Sequence, residues 1–341
     1  MPPLPTMAPL RLHTARLLMA VVAAAATAGS AAVRPPGAPV GAIASATPTP
    51  ARPQIPGPWF RMQVTSGDVS FWEPATMPPG APPIRAAAGI LVNMDTGEIL
   101  WERDPHVPFA PASLTKVLTT LVALKNFSPD QEVTITQAAL GQASDDTVMG
   151  LAAGETLSVR ELIEGMLLPS GDDAASAIAV DTVGEGRFVA AMNAQVAALG
   201  LRDSHFSNTS GLDDPQLYAS AYDLAVIATF TYDQSPLFDL IVDSPTIDLP
   251  ATPDHPAFQL ENLDQLLQDY PAAVGVKPGW TGNAGACLIG MAQRDGHALM
   301  AVLLNADYPA QEEARLLDWG YGLYSLPPLL PPTPTPSPAP S

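Results

Sequence analysis

The sequence has a single cysteine and few charged residues, and each scarcity excludes a class of protein or site. Cys287 is the only cysteine in 341 residues, so no intramolecular disulfide can form. Its apolar neighbours in the run 286–289 predict that it is a buried small hydrophobe. Charged residues make up 14% of the chain and the formal net charge is −19, with no basic cluster, which excludes a nucleic-acid-binding surface. The five histidines are scattered and form no His-Glu-x-x-His motif, so no zinc site is predicted.

Lysine is scarce as well. Of the 15 basic residues, 12 are arginine and three are lysine, at positions Lys116, Lys125 and Lys277. An arginine guanidinium does not lose its proton in a protein, whereas a buried lysine amine does. A chain that uses arginine almost everywhere and keeps a few lysines therefore points to a site that needs a deprotonated amine.

Ser113 and Lys116 lie at the start of a predicted helix. Pro111 suits the first turn because its missing N–H has no intrahelical partner there. Apolar residues then recur at three- and four-residue spacing, which predicts an amphipathic helix. Residues three apart lie on the same helix face, so the hydroxyl and the amine can act as nucleophile and base if burial lowers the pKa of the lysine. A Ser-x-x-Lys pair alone is frequent by chance, and an exposed helical lysine is the alternative.

The chain divides into a leader, a linker, one domain and a tail. Residues 1–32 are predicted to be an export signal, because two arginines precede a short apolar run that ends in a small-x-small cleavage site, Ala26-Thr27-Ala28. A retained N-terminal anchor is the alternative, although the run is short for a membrane span. Residues 33–83 are rich in Pro, Ala and Gly and predict a mostly disordered linker, and residues 327–341 predict a Pro-rich extended tail. Residues 84–326 form the remaining domain.

The predicted elements of this domain place strands at both ends and helices between them. Two apolar runs around Asp95-Thr96-Gly97 predict a β-hairpin. A capping box at Ser158 and Glu161 starts a helix that ends at Pro169. Further helices are predicted over 172–183, 186–199, 222–230, 260–267 and 312–321, and strands over 274–281, 287–293 and 298–305. The predicted fold class is α/β (α+β), with one antiparallel sheet flanked by helices and an all-helical insertion between the halves of the sheet.

Two short stretches add polar groups to the domain. Ser170-Gly171-Asp172 follows the helix stop and puts a hydroxyl and a carboxylate on a tight loop, which alone is typical of an ordinary turn. Lys277-Pro278-Gly279-Trp280-Thr281 puts the third lysine on a predicted strand, and Gly279 allows close backbone approach there. Neither stretch indicates a site by itself.

Together and in this order, the three stretches resemble the motifs Ser-x-x-Lys, Ser-x-Asn and Lys-Thr-Gly of the penicillin-binding serine D,D-peptidases. The chain is most similar to the D-alanyl-D-alanine carboxypeptidases of the S11 family. The resemblance spans roughly Ile84 to Tyr324 and includes the hairpin segment 94–98 and the segments 205–208, 211–215, 218–225 and 284–288. It implies a β-lactamase/transpeptidase-like fold and a reaction that needs no metal or cofactor.

The resemblance implies the reaction and its catalytic residues. Ser113 attacks the carbonyl of the penultimate D-alanine of a peptidoglycan stem peptide and forms an acyl-enzyme. Lys116 takes the serine proton, and Ser170 helps to pass it toward the leaving amine. The resemblance also implies that β-lactams inhibit the enzyme covalently, and that it works outside the cytoplasm, in the cell wall, in the periplasm or as a secreted protein.

The resemblance implies substrate-binding residues as well. Lys277 and Thr281 help to hold the terminal carboxylate of the substrate. The backbone N–H groups of Ser113 and Trp280 form the oxyanion hole, next to Gly279. Asp172 belongs to the same subsite through its motif position.

Two residues depart from the family motifs. Asp172 stands where asparagine is usual, and an ionised carboxylate accepts hydrogen bonds but does not donate them. It can pair with Lys116 or Lys277 and favour their charged forms, which would hinder Lys116 as a base. Pro278 replaces threonine and removes a hydroxyl and a backbone donor. Each change is expected to cost about ten- to a hundredfold in substrate handling, since a hydrogen bond to a charged group contributes roughly 1.5–3 kcal/mol.

Two alternatives to a D,D-carboxypeptidase remain open at this point. The first is a catalytically impaired homologue that binds or scaffolds peptidoglycan, which the two departures motivate. The second is a β-lactam hydrolase, which would use the same acyl-enzyme and release it quickly. The sequence shows no extra carboxylate clearly placed for that release.

Overall fold

The computed structural model describes residues 71, 73, 76–141 and 147–330. The predicted export signal, most of the predicted linker and residues 331–341 of the predicted tail lie outside the described residues. In chain order the elements are β1 (Ala88–Asn93), β2 (Ile99–Arg103), α1 (Thr115–Asn126), β3 (Glu132–Thr134), α2 (Gln137–Leu140), β4 (Thr156–Ser158), α3 (Val159–Leu167), α4 (Asp172–Val180), α5 (Glu185–Ala198), α6 (Ala221–Gln234), α7 (Pro236–Val242), β5 (Thr246–Leu249), β6 (Phe258–Glu261), α8 (Gln265–Asp269), β7 (Ala273–Thr281), β8 (Gly285–Arg294), β9 (His297–Ala306) and α9 (Pro309–Gly322).

The main sheet has five strands in the order β2-β1-β9-β8-β7, and all its neighbouring strands are antiparallel. The N-terminal hairpin and the three C-terminal strands thus join into one sheet, and the residues between β2 and β7 form the insertion. The predicted fold class is confirmed. The insertion is mainly helical, but it also carries two two-stranded ribbons, β3-β4 and β5-β6, in addition to the helices. These ribbons have only three or four residues per strand, which is too short for a clear alternation in the sequence.

Both faces of the sheet are covered, as the central strand β9 illustrates. Met300 and Val302 belong to a hydrophobic cluster shared with the helical insertion, whereas Leu299 and Ala301 belong to a second cluster shared with α8 and α9. Because both faces are buried, this strand is a continuous apolar run in the sequence. Its connection to β8 is the predicted Asp-Gly turn, with positive φ at both Asp295 and Gly296, 48° and 85°.

Local signals located several helices correctly. The capping box of α3 is formed in both directions: the Glu161 carboxylate accepts from the Ser158 N–H at 2.7 Å, and the Ser158 hydroxyl accepts from the Glu161 N–H at 3.2 Å. This helix was predicted to stop at Pro169, and its last residue is Leu167, two positions before the proline. Helices α4, α5, α6 and α9 also correspond to predicted helices.

The predicted helix over 260–267 is wrong. The first part of this segment belongs to β6, where Phe258 and Leu260 are buried and the residues between and after them are exposed. That two-residue alternation is the pattern of a half-buried strand. A separate short helix, α8, begins after Asp264, whose side chain accepts from the Leu266 N–H at 2.9 Å and caps it.

The last residues of the predicted linker, which precede Ile84, already contact the domain. The Phe71 ring packs edge-on against Tyr222 with 5.5 Å between ring centroids, and the Phe71 N–H donates to the Tyr222 hydroxyl at 3.3 Å. The Trp319 indole N–H donates to the Pro79 carbonyl at 3.4 Å. Within the described ranges, no helix combines the length and the apolar character that crossing a membrane requires.

Candidate active site

Ser113 lies in a short 3₁₀ turn, Ala112–Leu114, directly before α1. The preceding residue, Ala112, has a φ of 50°, a left-handed conformation that is costly for a residue other than glycine and is found at functional sites. Two glycines let other segments approach this turn. A Cβ on Gly211 would overlap the Ala112 carbonyl, and a Cβ on Gly279 would lie 2.9 Å from the Ser113 backbone nitrogen. Only glycine fits at these two positions, so β7 and the loop at Gly211 pack directly on the backbone of Ser113.

Lys116, near the start of α1, is completely buried next to Ser113. Its amine nitrogen lies 2.9 Å from Ser113 Oγ, 2.6 Å from Asp172 Oδ1 and 2.7 Å from the backbone carbonyl oxygen of Ser210. These three oxygens surround the nitrogen. The sequence left Lys116 and Lys277 as alternative partners of Asp172, and in the structure Asp172 pairs with Lys116.

Burial acts on both members of the Lys116–Asp172 pair. It lowers the pKa of Lys116, and this outweighs the opposing effect of the Asp172 carboxylate. It also raises the pKa of Asp172, and this outweighs the opposing effect of the Lys116 charge. The two pKa values therefore move toward each other, and the pair shares a single labile proton.

Asp172 and Ser170 stand at the start of α4, on a loop fixed by backbone hydrogen bonds. Ser170 has a φ of 62° and lines the cleft, and its hydroxyl makes no hydrogen bond to the described residues. The Asp172 N–H donates to the Thr147 carbonyl at 2.8 Å. The next side chain, Asp173, accepts three backbone N–H groups from residues 149–151 at 2.8–3.0 Å. These contacts hold the segment 147–151 against the second motif.

The third motif lies on β7, the edge strand of the sheet. Lys277 is completely buried, and its amine donates to the Pro278 carbonyl at 3.2 Å. Pro278 is paired with Leu288 of β8 but has no N–H, so the outward edge of β7 loses one donor there. Along an antiparallel strand the outward-facing backbone groups recur at every second residue, so the next outward N–H is that of Trp280. The Trp280 side chain is 71% exposed at the rim of the cleft.

Thr281, at the end of β7, is already hydrogen-bonded. Its hydroxyl donates to Asp213 Oδ1 at 2.5 Å, and the Asn283 N–H donates to the other carboxylate oxygen at 3.1 Å. Asp213 thus ties the turn after β7 to the loop that carries Ser210. The carboxylate also brings a negative charge to the cleft wall.

Lys277 is the second amine of the site, and its environment makes it easy to deprotonate. Burial, aided by the nearby Lys116 charge, lowers the pKa of Lys277 to about 7, while the Asp264 carboxylate opposes this shift. Burial likewise raises the pKa of Asp264 to about 6. Lys277 is therefore partly charged at neutral pH.

These segments enclose a cleft of about 820 Å³. Seven of the eight sequence-predicted site residues line it: Ser113, Ser170, Asp172, Lys277, Gly279, Trp280 and Thr281. The eighth, Lys116, is buried and meets the cleft through its contacts with Ser113 and Asp172. Helix α1, the loop before α4 and the strand β7 thus each bring one motif to the same space.

The cleft also contains residues to which the sequence analysis assigned no role. Thr147, Asp213 and the segment around Ser210 line it. The only sequence signal for Asp213 was that it lies in the segment 211–215, which resembles the family. The contact of the Ser210 carbonyl with Lys116 left no signal, because every residue type has such a carbonyl.

The reactive side chains at the cleft are serines, lysines and carboxylates. Within the part of the chain that the structure describes, no group of three or more His, Cys, Asp or Glu residues is arranged to hold a metal ion. Cys287 lines the cleft wall but is 1% exposed, and burial raises its pKa to about 11. It therefore stays a thiol at neutral pH and is not a nucleophile there.

The chain is similar in sequence to known proteins. The chain matches the family described as D-alanyl-D-alanine carboxypeptidase, peptidase S11, over residues 75–308. The D-alanyl-D-alanine carboxypeptidase DacB2 of Mycobacterium tuberculosis is 35% identical over 264 residues, which cover 74% of this chain and 89% of the relative. DacF of Bacillus subtilis is 30% identical over 72% of this chain and 64% of its own length, so the chain spans a little under two thirds of that relative.

Solved structures agree with the sequence matches. The Streptomyces K15 DD-transpeptidase has a TM-score of 0.67 at 28% identity, covering 71% of this chain and 99% of that chain. A D-alanyl-D-alanine carboxypeptidase from Mycobacterium tuberculosis has a TM-score of 0.66 at 34% identity, covering 74% and 97%. The resemblance noted in the sequence is confirmed. This chain belongs to the S11 family of serine-type D-alanyl-D-alanine carboxypeptidases.

Proposed function

We propose that this protein is an exported D,D-carboxypeptidase that removes the terminal D-alanine of peptidoglycan stem peptides through an acyl-enzyme on Ser113. The observation that carries the proposal is the 2.9 Å contact between the Lys116 amine and Ser113 Oγ at an open cleft. A serine hydroxyl next to a buried amine of lowered pKa is an activated nucleophile.

In the proposed reaction, Ser113 Oγ attacks the carbonyl carbon of the penultimate D-alanine as its proton passes to Lys116. The backbone N–H groups of Ser113 and Trp280 stabilise the negative charge on the carbonyl oxygen. The carbon–nitrogen bond then breaks, and the leaving amine of the terminal D-alanine receives the proton by way of Ser170. A water molecule attacks the ester and returns a proton to Ser113, which restores the free enzyme.

Substrate binding in this proposal relies on Lys277 and the end of β7. The Lys277 charge attracts the terminal carboxylate, and Gly279 lets the peptide approach the nucleophile turn. Thr281 contributes less than its motif position suggests, because its hydroxyl already donates to Asp213. The same serine would be acylated by β-lactams, which the family of penicillin-binding proteins binds.

An exported enzyme fits this substrate, because the family acts on the cell wall. Residues 1–32 supply the signal in this proposal, and residues 84–326 carry the reaction. Contact with a membrane is expected only if the signal is retained.

A second candidate is a catalytically impaired homologue that binds peptidoglycan. The observation in its favour is the Lys116–Asp172 contact at 2.6 Å, since a carboxylate that keeps Lys116 protonated withholds the base. Such a protein would bind stem peptides without releasing D-alanine.

Labelling with a fluorescent penicillin, together with D-alanine release from a synthetic stem pentapeptide, tests the proposal. The wild type is expected to label covalently and to release D-alanine, while Ser113→Ala does neither, because the acyl-enzyme bond has no oxygen to form on. Ser128→Ala is the control: this exposed serine lies beyond the far end of α1, so both signals should persist. Equal labelling of Ser113→Ala would refute the acyl-enzyme, and labelling without D-alanine release would favour the impaired homologue.

A further inference from the structure

We infer that Asp172 works as a neutral carboxylic acid that holds the proton Lys116 would otherwise carry, and that it thereby replaces the amide of the usual asparagine. The inference deepens the proposed function, since it takes Ser113 as the nucleophile. It reverses the expectation from the sequence that Asp172 hinders Lys116.

The surroundings of Lys116 suit a neutral amine. Such an amine has two N–H donors and one lone pair, and three oxygens lie within 2.9 Å of the nitrogen. The backbone carbonyl of Ser210 has no proton to give, and neither does Asp172 Oδ1 when the acid proton sits on the other oxygen. Both of these therefore accept from the amine, and its lone pair accepts the Ser113 hydroxyl. An ammonium would donate to all three oxygens and leave no lone pair for the serine proton.

The second carboxyl oxygen of Asp172 has room for the proton. Oδ2 makes no hydrogen bond to the described residues, and Asp172 lines the cleft where the substrate binds. Moving one proton from Lys116 Nζ to Asp172 Oδ2 leaves the number of protons and the net charge of the pair unchanged. The product has an acceptor facing Lys116 and an O–H donor facing the cleft. An asparagine side chain offers the same two functions.

Burial favours this neutral form over the ion pair. The two side chains are 0% and 4% exposed, and removing two charges from water costs several kcal/mol per ion in a protein interior. The pKa shifts described above, downward for Lys116 and upward for Asp172, both favour the transfer. The other charged groups facing Asp172 act in opposite directions: Asp173 on α4 raises its pKa further, and Lys277 on β7 lowers it.

The pH dependence of acylation separates the two forms of the pair. If the active site contains neutral Lys116 and protonated Asp172, raising the pH removes the acid proton and with it the donor. Asp172→Asn keeps a donor that does not titrate. The ratio of wild-type to Asp172→Asn acylation rate constants with benzylpenicillin should therefore fall as the pH rises, by about tenfold for each pH unit beyond the point at which the pair loses its proton. Lys277 also titrates, and the Asp172 charge raises its pKa in the wild type only. The same ratio is therefore also measured in a Lys277→Arg background, where position 277 does not titrate.

The hindering ion pair predicts the opposite trend. There the pair must lose its proton before Lys116 can act, so the same ratio rises with pH. A ratio that rises or stays flat would overturn the inference. Asp214→Asn is the matched control, because Asp214 is exposed and does not line the cleft. The ratio of wild-type to Asp214→Asn acylation rate constants should not change with pH.

An infrared measurement on the resting protein gives a readout independent of activity. The difference spectrum of wild type minus Asp172→Asn at neutral pH should contain the C=O stretching band of a protonated carboxyl group, which shifts in D₂O. Carboxylate bands in its place would overturn the inference. The tests also separate the two proposals. A wild type that is never acylated on Ser113 refutes the proposed function, while the infrared spectrum still decides where the proton lies.

Discussion

At the scale of a single residue, Glu313 influences the stability of this protein. Its side chain on α9 is completely buried, and within the described part of the chain neither carboxyl oxygen has a hydrogen-bond partner of good geometry. It packs against Gly290 of β8, where a Cβ would overlap one of the oxygens. Burial raises the pKa of Glu313 well above its ordinary value, so the folded protein holds this group in its protonated form.

Glu313→Gln is therefore expected to stabilise the protein at neutral pH. In the unfolded chain Glu313 ionises above about pH 4.3, while in the folded protein it keeps its proton. The free energy of unfolding of the wild type therefore falls as the pH rises above about 4.3. Glutamine has the same shape and does not titrate. The gain in Tm of Glu313→Gln over wild type should grow from about pH 4 to neutral pH, by about 2–4 °C for each kcal/mol. Exposed Glu132→Gln is the control, and a Glu313→Gln difference that is constant with pH would contradict the argument.

At the scale of elements, β7 is an edge strand of the main sheet that lines the cleft, and the proposed function assigns substrate binding to it. Its inner edge pairs with β8, and among the described residues no strand pairs with its outer edge, where an extended peptide would add in the proposed function. Pro278 removes one donor from that outer edge, and the proline ring also takes the place of a hydroxyl near Lys277. In the proposed function, β7 therefore offers the substrate carboxylate fewer hydrogen bonds.

Pro278→Thr should restore these groups. Threonine favours a strand conformation, and its hydroxyl and N–H reach the outer edge of β7. With a hydrogen bond to a charged group contributing roughly 1.5–3 kcal/mol, kcat/KM for D-alanine release is expected to rise about tenfold or more. Pro250→Thr, an exposed proline directly after β5, is the control and should leave kcat/KM unchanged. An unchanged or lower value for Pro278→Thr would show that Pro278 does not limit carboxylate binding.

At the scale of the whole molecule, the site lies where the sheet meets the helical insertion. Helix α1 and the start of α4 belong to the insertion, while β7 belongs to the sheet. In the proposed function, the cleft between them receives the end of a peptidoglycan stem peptide. The proposed substrate lies outside the cytoplasm, so the proposed activity depends on export.

Export should be visible at the N-terminus of the mature protein. With the small-x-small site at Ala26-Thr27-Ala28, we expect the extracytoplasmic protein to begin between Gly29 and Val33. N-terminal sequencing of that fraction checks this, and a variant carrying Arg11→Glu and Arg16→Glu should accumulate inside the cell. A full-length chain in the membrane fraction would instead support the retained anchor.

Much of the fold could be predicted because its signals are short-range. The Ser158–Glu161 capping box, the stop at Pro169 and the turn at Asp295-Gly296 each involve residues within four positions of one another. The apolar runs of β8 and β9 identify buried strands for the same reason. The segment 260–267 was misassigned because a four-residue strand and a five-residue helix adjoin there, and neither is long enough to show its own period.

By itself the sequence determined the motif residues of the site, because their types and order carry the chemistry. Which groups meet was decided by tertiary structure. The sequence left two lysines open to Asp172, and the packing of α4 against α1 selects Lys116, while β7 leaves Lys277 bonded to its own neighbour's carbonyl. Tertiary packing likewise places Asp213 and the Ser210 carbonyl in the site. The reason is physical: a pKa or a hydrogen bond depends on burial and on partners that are distant in the chain, and no local pattern encodes them.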